Sequence, residues 1–393
     1  MSEKWIKTNV VDVENGVLNQ NWWVQIQDEK IGYVGPDAPE ETAETEDRTG
    51  FYMMPGIIDC HVHILMDMDG FDPIASMVNV GTEELVFRAM ENLKRLLYQG
   101  ITYFRDMGGH NFTDIKIRDA VNSGRIEGPE MKASGHMISM TGGHAWIAAR
   151  ECDGVDEVVK AVREQVKNGA DIIKIMATGG YHTPGCAPGS EQFSREEILA
   201  MVTEAHRLNK KVTAHAQGVQ AIRYCVDAGI DCIEHGDFLV DAPEVIDQIV
   251  EKGIFVVPTI CTRIKVLENA IKSGAPQSKI DRMRLGERHI DSFRLMMEKG
   301  VKLANGTDTG IQNDSLYEME LMEKYGMKTA EVLKTATINS AKCLGIDEQY
   351  GSIETGKYAD LILMKENPLE HATAARKVEE VYKKGRRVKG GQK

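Results

Sequence analysis

Apolar and polar positions along this chain follow two different periods. Over residues 1–54 they alternate in short runs, as in Trp23-Val24-Gln25-Ile26 and Ile31-Gly32-Tyr33-Val34, with turns and the acidic stretch EETAETED around them. Alternation with period two predicts strands buried on one face. Residues 351–356, 358–364 and 378–385 read as further strands and turns. The two ends of the chain can therefore pair into one small β domain.

The middle behaves differently. Short apolar runs near residues 57–63, 101–105, 131–135, 171–176, 211–215, 231–235, 255–259 and 302–308 alternate with longer amphipathic stretches, among them 157–167, 194–208, 219–228 and 243–252. Strands that read as near-continuous apolar runs are buried on both faces, the mark of a parallel sheet covered by helices. Eight strands with intervening helices is the count of a (β/α)8 TIM barrel, with a doubly wound sheet as the structural competitor. The expected architecture is α/β: a β-sandwich built from residues 1–56 and 351–393 around a barrel of residues 57–350.

Composition narrows the function. With 393 residues, 42% apolar and 27% charged, the chain has enough material for a large buried core. A formal net charge of −13 disfavours nucleic acid and anionic membranes as partners. Seven cysteines without a C-x-x-C pair fit reduced thiols. No apolar run is long enough for a secretion signal or a membrane span, so a cytoplasmic protein acting on a small molecule is expected.

In Ile57-Ile58-Asp59-Cys60-His61-Val62-His63, strand geometry puts His61 and His63 on one face, available to a single metal. Four more predicted strands each end in a residue of ligand type: Lys174, His215, His235 and Asp308. Singly, each has an ordinary structural explanation, such as a snorkelling lysine, a core histidine or a capping aspartate. Jointly they sit where a barrel gathers its functional groups, at the C-terminal ends of strands 1, 4, 5, 6 and 8.

This pattern resembles the amidohydrolase superfamily in its two-metal form. Pro55-Gly56-Ile57-Ile58-Asp59 before the paired histidines, Ile233-Glu234-His235-Gly236, and Gly351-Ser352-Ile353-Glu354-Thr355-Gly356-Lys357-Tyr358-Ala359-Asp360-Leu361 extend the likeness over nearly the whole chain. Met140-Thr141-Gly142-Gly143-His144 and Ala214-His215-Ala216 look closest to imidazolonepropionases and prolidase-like dipeptidases. The resemblance implies that His61, His63 and Asp308 hold one divalent ion and that His215 and His235 hold another, with zinc the first choice. It also implies that Lys174 bridges the two as an N6-carboxylated lysine. A carbamate is an anion that offsets two cations, where a free ammonium would be repelled.

The same resemblance implies hydrolysis, with a water shared by the metals and Asp308 as general base and then general acid. The leading expectation is cleavage of the C–N amide bond of a dipeptide or N-acyl amino acid. Opening of a cyclic amide or deamination of a ring is the alternative within enzymes, and an inactive barrel scaffold the alternative outside them. The complete set of six metal-site residues argues against the scaffold. Around the pocket, His144 is the candidate for polarising a carbonyl or binding a carboxylate. Tyr181 and His182 follow strand four, and Arg263 follows strand seven as a bidentate carboxylate partner. Gln217 stands where dipeptidase-like members carry a substrate-binding tyrosine, a departure from their pattern at a substrate position. Barrels of this superfamily often form dimers or larger homo-oligomers.

Overall fold

The apolar runs of the middle form parallel strands buried along their whole length. The structure is a computed structural model that describes residues 3–67, 72–308 and 314–390. Thr309 and Gly310, which follow Asp308, lie outside the described residues, as do residues 1–2 and 391–393 of the expected end domain.

Eight strands, Ile57–Val62, Ile101–Asp106, Glu130–Ala133, Ile172–Met176, Lys211–Ala216, Cys232–His235, Phe255–Val257 and Lys302–Leu303, coincide with the eight predicted runs. The first three pair in parallel order, and so do the last five. The two groups meet at both seams. Asp171 N donates to Ala133 O at 2.9 Å, while Cys60 N donates to Asn305 O and Asp308 N to His61 O, each at 2.8 Å. Parallel strands closed in this way are consistent with a TIM-like barrel.

Helices cover the outside because their apolar residues recur at three- and four-residue intervals. Val155–Lys167 buries Val158, Ala161 and Val162, and Arg195–Arg207 buries Ile198, Met201, Val202 and Ala205. Each such side chain removed from water contributes roughly 1.5–3 kcal/mol for the larger aliphatics. Ser194 and Glu197 form a reciprocal capping box at the start of the second helix, which sets where it begins. Val219–Ala228 and Pro243–Lys252 run as the sequence predicts, ended by Gly229 and Gly253 at φ 77° and 65°.

The chain ends do pair. One seven-stranded sheet runs in the order Arg386–Lys389, Val378–Lys383, Leu361–Met364, Thr45–Pro55, Glu3–Asp12, Val17–Gln27, Lys30–Gly35. Its own core includes Ile6, Val24, Ile26, Ile31, Met53, Leu361, Leu363 and Tyr382. A sandwich requires two sheets face to face, and the strand pairing describes a single sheet; residues 351–356 are turns and bends. Among the described residues, no helix is long and apolar enough to cross a membrane.

Candidate metal centre

The strand ends place six chemistry-bearing side chains around one cavity. His61 lies within the first strand and His63 immediately beyond it, Lys174 in the fourth, His215 in the fifth, and His235 at the end of the sixth. Asp308 follows the eighth, tied back to the first by its backbone bond to His61 O. All six line the same cavity, together with His144, His182 and an apolar wall that includes Met66, Ile74, Met137 and Met176. His235, Thr259 and Asp308 have φ of 76°, 54° and 51°. Left-handed backbone at non-glycine residues costs about 1–3 kcal/mol each, and here it turns side chains into the mouth of the barrel.

Asp308 Oδ1 lies 3.3 Å from His61 Nε2 and 3.4 Å from His63 Nε2. Ligand atoms of these three residues fall within 4.8 Å of one another. The remaining imidazoles continue the cluster, with ring centroids 5.3 Å apart for His61 and His235 and 4.6 Å for His215 and His235. Lys174 Nζ, His215 Nε2 and His63 Nδ1 are buried without a hydrogen-bond partner. Each unmet polar group costs on the order of 1–3 kcal/mol, so an amine and imidazoles left open in one cavity beside a carboxylate mark a site built for ligands. Histidine nitrogen and carboxylate oxygen fit divalent ions of the zinc, manganese, iron and cobalt series.

The electrostatics come largely from residues that the sequence pattern did not single out. Glu234 Oε2 accepts from His61 Nδ1 at 2.7 Å, and Glu234 Oε1 accepts from Arg105 Nη2 at 2.6 Å and also takes the Thr213 hydroxyl. Burial pushes the Glu234 carboxyl up, but Arg105 and His61 overcome it and hold it well below the usual range. Thr259 Oγ1 lies 2.7 Å from His235 Nδ1. These contacts fix which imidazole nitrogen faces the cavity. Asp59 accepts from His61 N at 2.9 Å and Thr307 Oγ1 at 3.1 Å, joining the first and eighth strands behind the ligands.

Burial lowers the Lys174 ammonium to about 8, and burial drives His215 and His235 well below their ordinary value. Asp308 is lowered as well, towards its charged form: burial raises it, but His61, His63 and His235 keep it well below the carboxylate range.

Of the five candidate substrate residues, His144 and His182 line the cavity. The His144 ring stacks 4.6 Å from His215, and its Nδ1 lies 2.9 Å from Thr183 Oγ1. Tyr181, Gln217 and Arg263 are buried together behind His144, around Asp237. A charged residue inside an apolar strand is the signal that would have found Glu234 and Arg105. Nothing comparable marks Asp237, which lies on a loop.

Comparison with known proteins agrees with this geometry. The profile of the amidohydrolase family matches residues 52–388. An ochratoxinase of Aspergillus niger is 31% identical over 399 residues, covering 93% of this chain and 82% of that one. An imidazolonepropionase of Fusobacterium nucleatum is 22% identical, covering 88% and 85%. A solved Xaa-Pro dipeptidase with methionine bound in its active site superposes with a TM-score of 0.91 at 31% identity, over 99% of this chain and 100% of that one. A prolidase complexed with N-methylphosphonate-L-proline gives 0.90 at 30% identity, with the same coverage.

Proposed function

This chain belongs to the amidohydrolase family and hydrolyses carbon–nitrogen bonds, and on that premise we propose that its substrate is a dipeptide or N-acyl amino acid. The single observation that carries the metal-centred hydrolysis in this reading is the unpartnered Lys174 Nζ in the same cavity as the His61, His63 and Asp308 group. In this reading His61, His63 and Asp308 would hold one divalent ion and His215 and His235 a second, with Lys174, as its carbamate, a further anionic ligand. Divalent ions in such a site supply positive charge that polarises a carbonyl and acidifies water.

The protein's own groups do the rest. Asp308 is ionised beside His61 and His63, so it can take a proton from the attacking water and pass it to the departing amine. His144, kept neutral by burial, which lowers it to about 3, offers Nε2 to the substrate while Thr183 holds Nδ1. Met66, Ile74, Met137 and Met176 give the cavity an apolar wall suited to an uncharged side chain.

Supporting the substrate class are the solved relatives named as an Xaa-Pro dipeptidase and a prolidase. The imidazolonepropionase relative justifies testing a cyclic amide beside them. The experiment is a panel of dipeptides, N-acyl amino acids and one imidazolone, scored by release of free amino acid or ring opening. Turnover of the linear amides is expected; turnover of the ring compound alone would overturn the substrate assignment.

A further inference from the structure

Arg263 is a buried cation with an unusual degree of support. Its Nε lies 3.0 Å from Asp237 Oδ2, and the same carboxylate oxygen accepts the Tyr181 hydroxyl at 3.0 Å. The guanidinium carbon stands 4.8 Å above the Tyr181 ring, a stacking contact. In the orientation that satisfies both neighbours, the Gln217 amide accepts from Arg263 Nη2 at 3.0 Å and donates to Gly179 O at 3.1 Å. Asp237 is itself held, since its backbone oxygen accepts from Ser292 Oγ at 2.7 Å. Tyr181, Gln217 and Asp237 come from the loops after strands four, five and six, and Arg263 from the first turn of the helix Ile260–Lys272 after strand seven, so four barrel units converge on one guanidinium.

The geometry decides which edge of Arg263 stays available. Nε and Nη2 share one side of the planar group, which faces Gln217 and, as an ion pair without a hydrogen bond from Nε, Asp237. What remains is the end-on fork, the edge that matches a carboxylate bidentately. Arg263 does not itself line the ligand cavity but lies buried behind the His144 side of it. Gly179 and Gly180 link the cluster to His144, and a Cβ on Gly180 would run into the His144 ring. Burial is the main force lowering His144, His182, His215 and His235, and the Arg263 charge adds to it at each of them.

We infer that Asp237 is a positioning residue that, with Tyr181 and Gln217, fixes Arg263 to receive a substrate carboxylate, so that the enzyme selects amides carrying one. Gln217 thereby anchors the guanidinium from the position where dipeptidase-like relatives are expected to use a tyrosine. Removing the Asp237 charge lets the guanidinium swing or turn inward, and the anion loses a preformed partner. The inference rests on the proposed dipeptide or N-acyl amino acid chemistry.

The test compares the best free-acid substrate of the panel with its C-terminal primary amide, using the full-length, metal-loaded enzyme. Wild type is expected to prefer the acid by about 100-fold in kcat/KM, since a bidentate charged contact is at stake. Asp237→Asn should lower kcat/KM for the acid by about 10-fold or more, through KM with kcat nearly kept, and leave the amide within about 3-fold. Tyr181→Phe retains the ring beneath the guanidinium, drops only the hydroxyl to Asp237, and should narrow the same ratio several-fold. Equal losses for acid and amide in both variants would make Asp237 purely structural and overturn the inference. A wild type that cleaves acid and amide equally overturns it as well, while leaving the amide-hydrolase reading standing. A wild type that cleaves neither takes both down.

Discussion

Glu234 Oε2 accepts a hydrogen bond from His61 Nδ1 at 2.7 Å, which leaves His61 Nε2 as the nitrogen facing Asp308. The same carboxylate neutralises Arg105, which is fully buried. One residue therefore fixes a ligand's tautomer and satisfies a buried cation. Glu234→Gln should weaken metal affinity by about 10- to 100-fold and destabilise the fold by roughly 3 kcal/mol, because Arg105 loses its counter-charge. Chelator competition and urea unfolding measure the two effects. Unchanged values for both would remove Glu234 from the account.

Gly180 can only be glycine while His144 keeps its place, since a Cβ there meets the imidazole ring. Gly180→Ala is expected to displace His144 and lower kcat/KM by about 10-fold or more, with metal content unchanged. Wild-type kinetics in that variant would mean that the His144 position is unimportant for turnover.

Asp308→Asn should keep an oxygen ligand at the site yet lose proton transfer. Turnover is expected to fall by about 100- to 10,000-fold while bound metal stays near the wild-type level. Steady-state kinetics beside elemental analysis decides it, and an unimpaired kcat removes the assigned role.

Glu318 caps the helix after the seventh barrel strand, accepting from Ile260 N at 2.8 Å and Cys261 N at 2.7 Å. Burial outweighs these bonds and lifts its carboxyl from 4.5 to about 7. The folded state therefore binds a proton that the unfolded state has already lost between those values. Stability from this group is fully present below pH 4.5 and declines as pH rises through about 7, by roughly 3 kcal/mol. Glu318→Gln should flatten that part of the urea-midpoint profile measured from pH 5 to 8. A parallel profile would exclude Glu318 as its source.

Much of the architecture was legible because buried parallel strands announce themselves as apolar runs, and because a barrel collects ligand types at strand ends. His61, His63, Lys174, His215, His235 and Asp308 could be picked out for that reason, and the structure brings them around one cavity. What escaped was the supporting layer. Glu234 and His235 are neighbours in sequence, so strand alternation assigns them opposite faces, yet both serve the centre. The φ of 76° at His235 breaks the alternation, and no sequence pattern encodes that angle. Asp237 and Tyr181 meet only because two loops from different barrel units approach each other. Residues 351–356, read as strands and turns, contribute bends and a turn but no strand.

Metal stoichiometry tests the central claim most directly. Protein expressed in metal-supplemented medium and freed of loose ions should contain about two divalent ions per chain by elemental analysis. Protein that retains none while remaining folded would contradict the account.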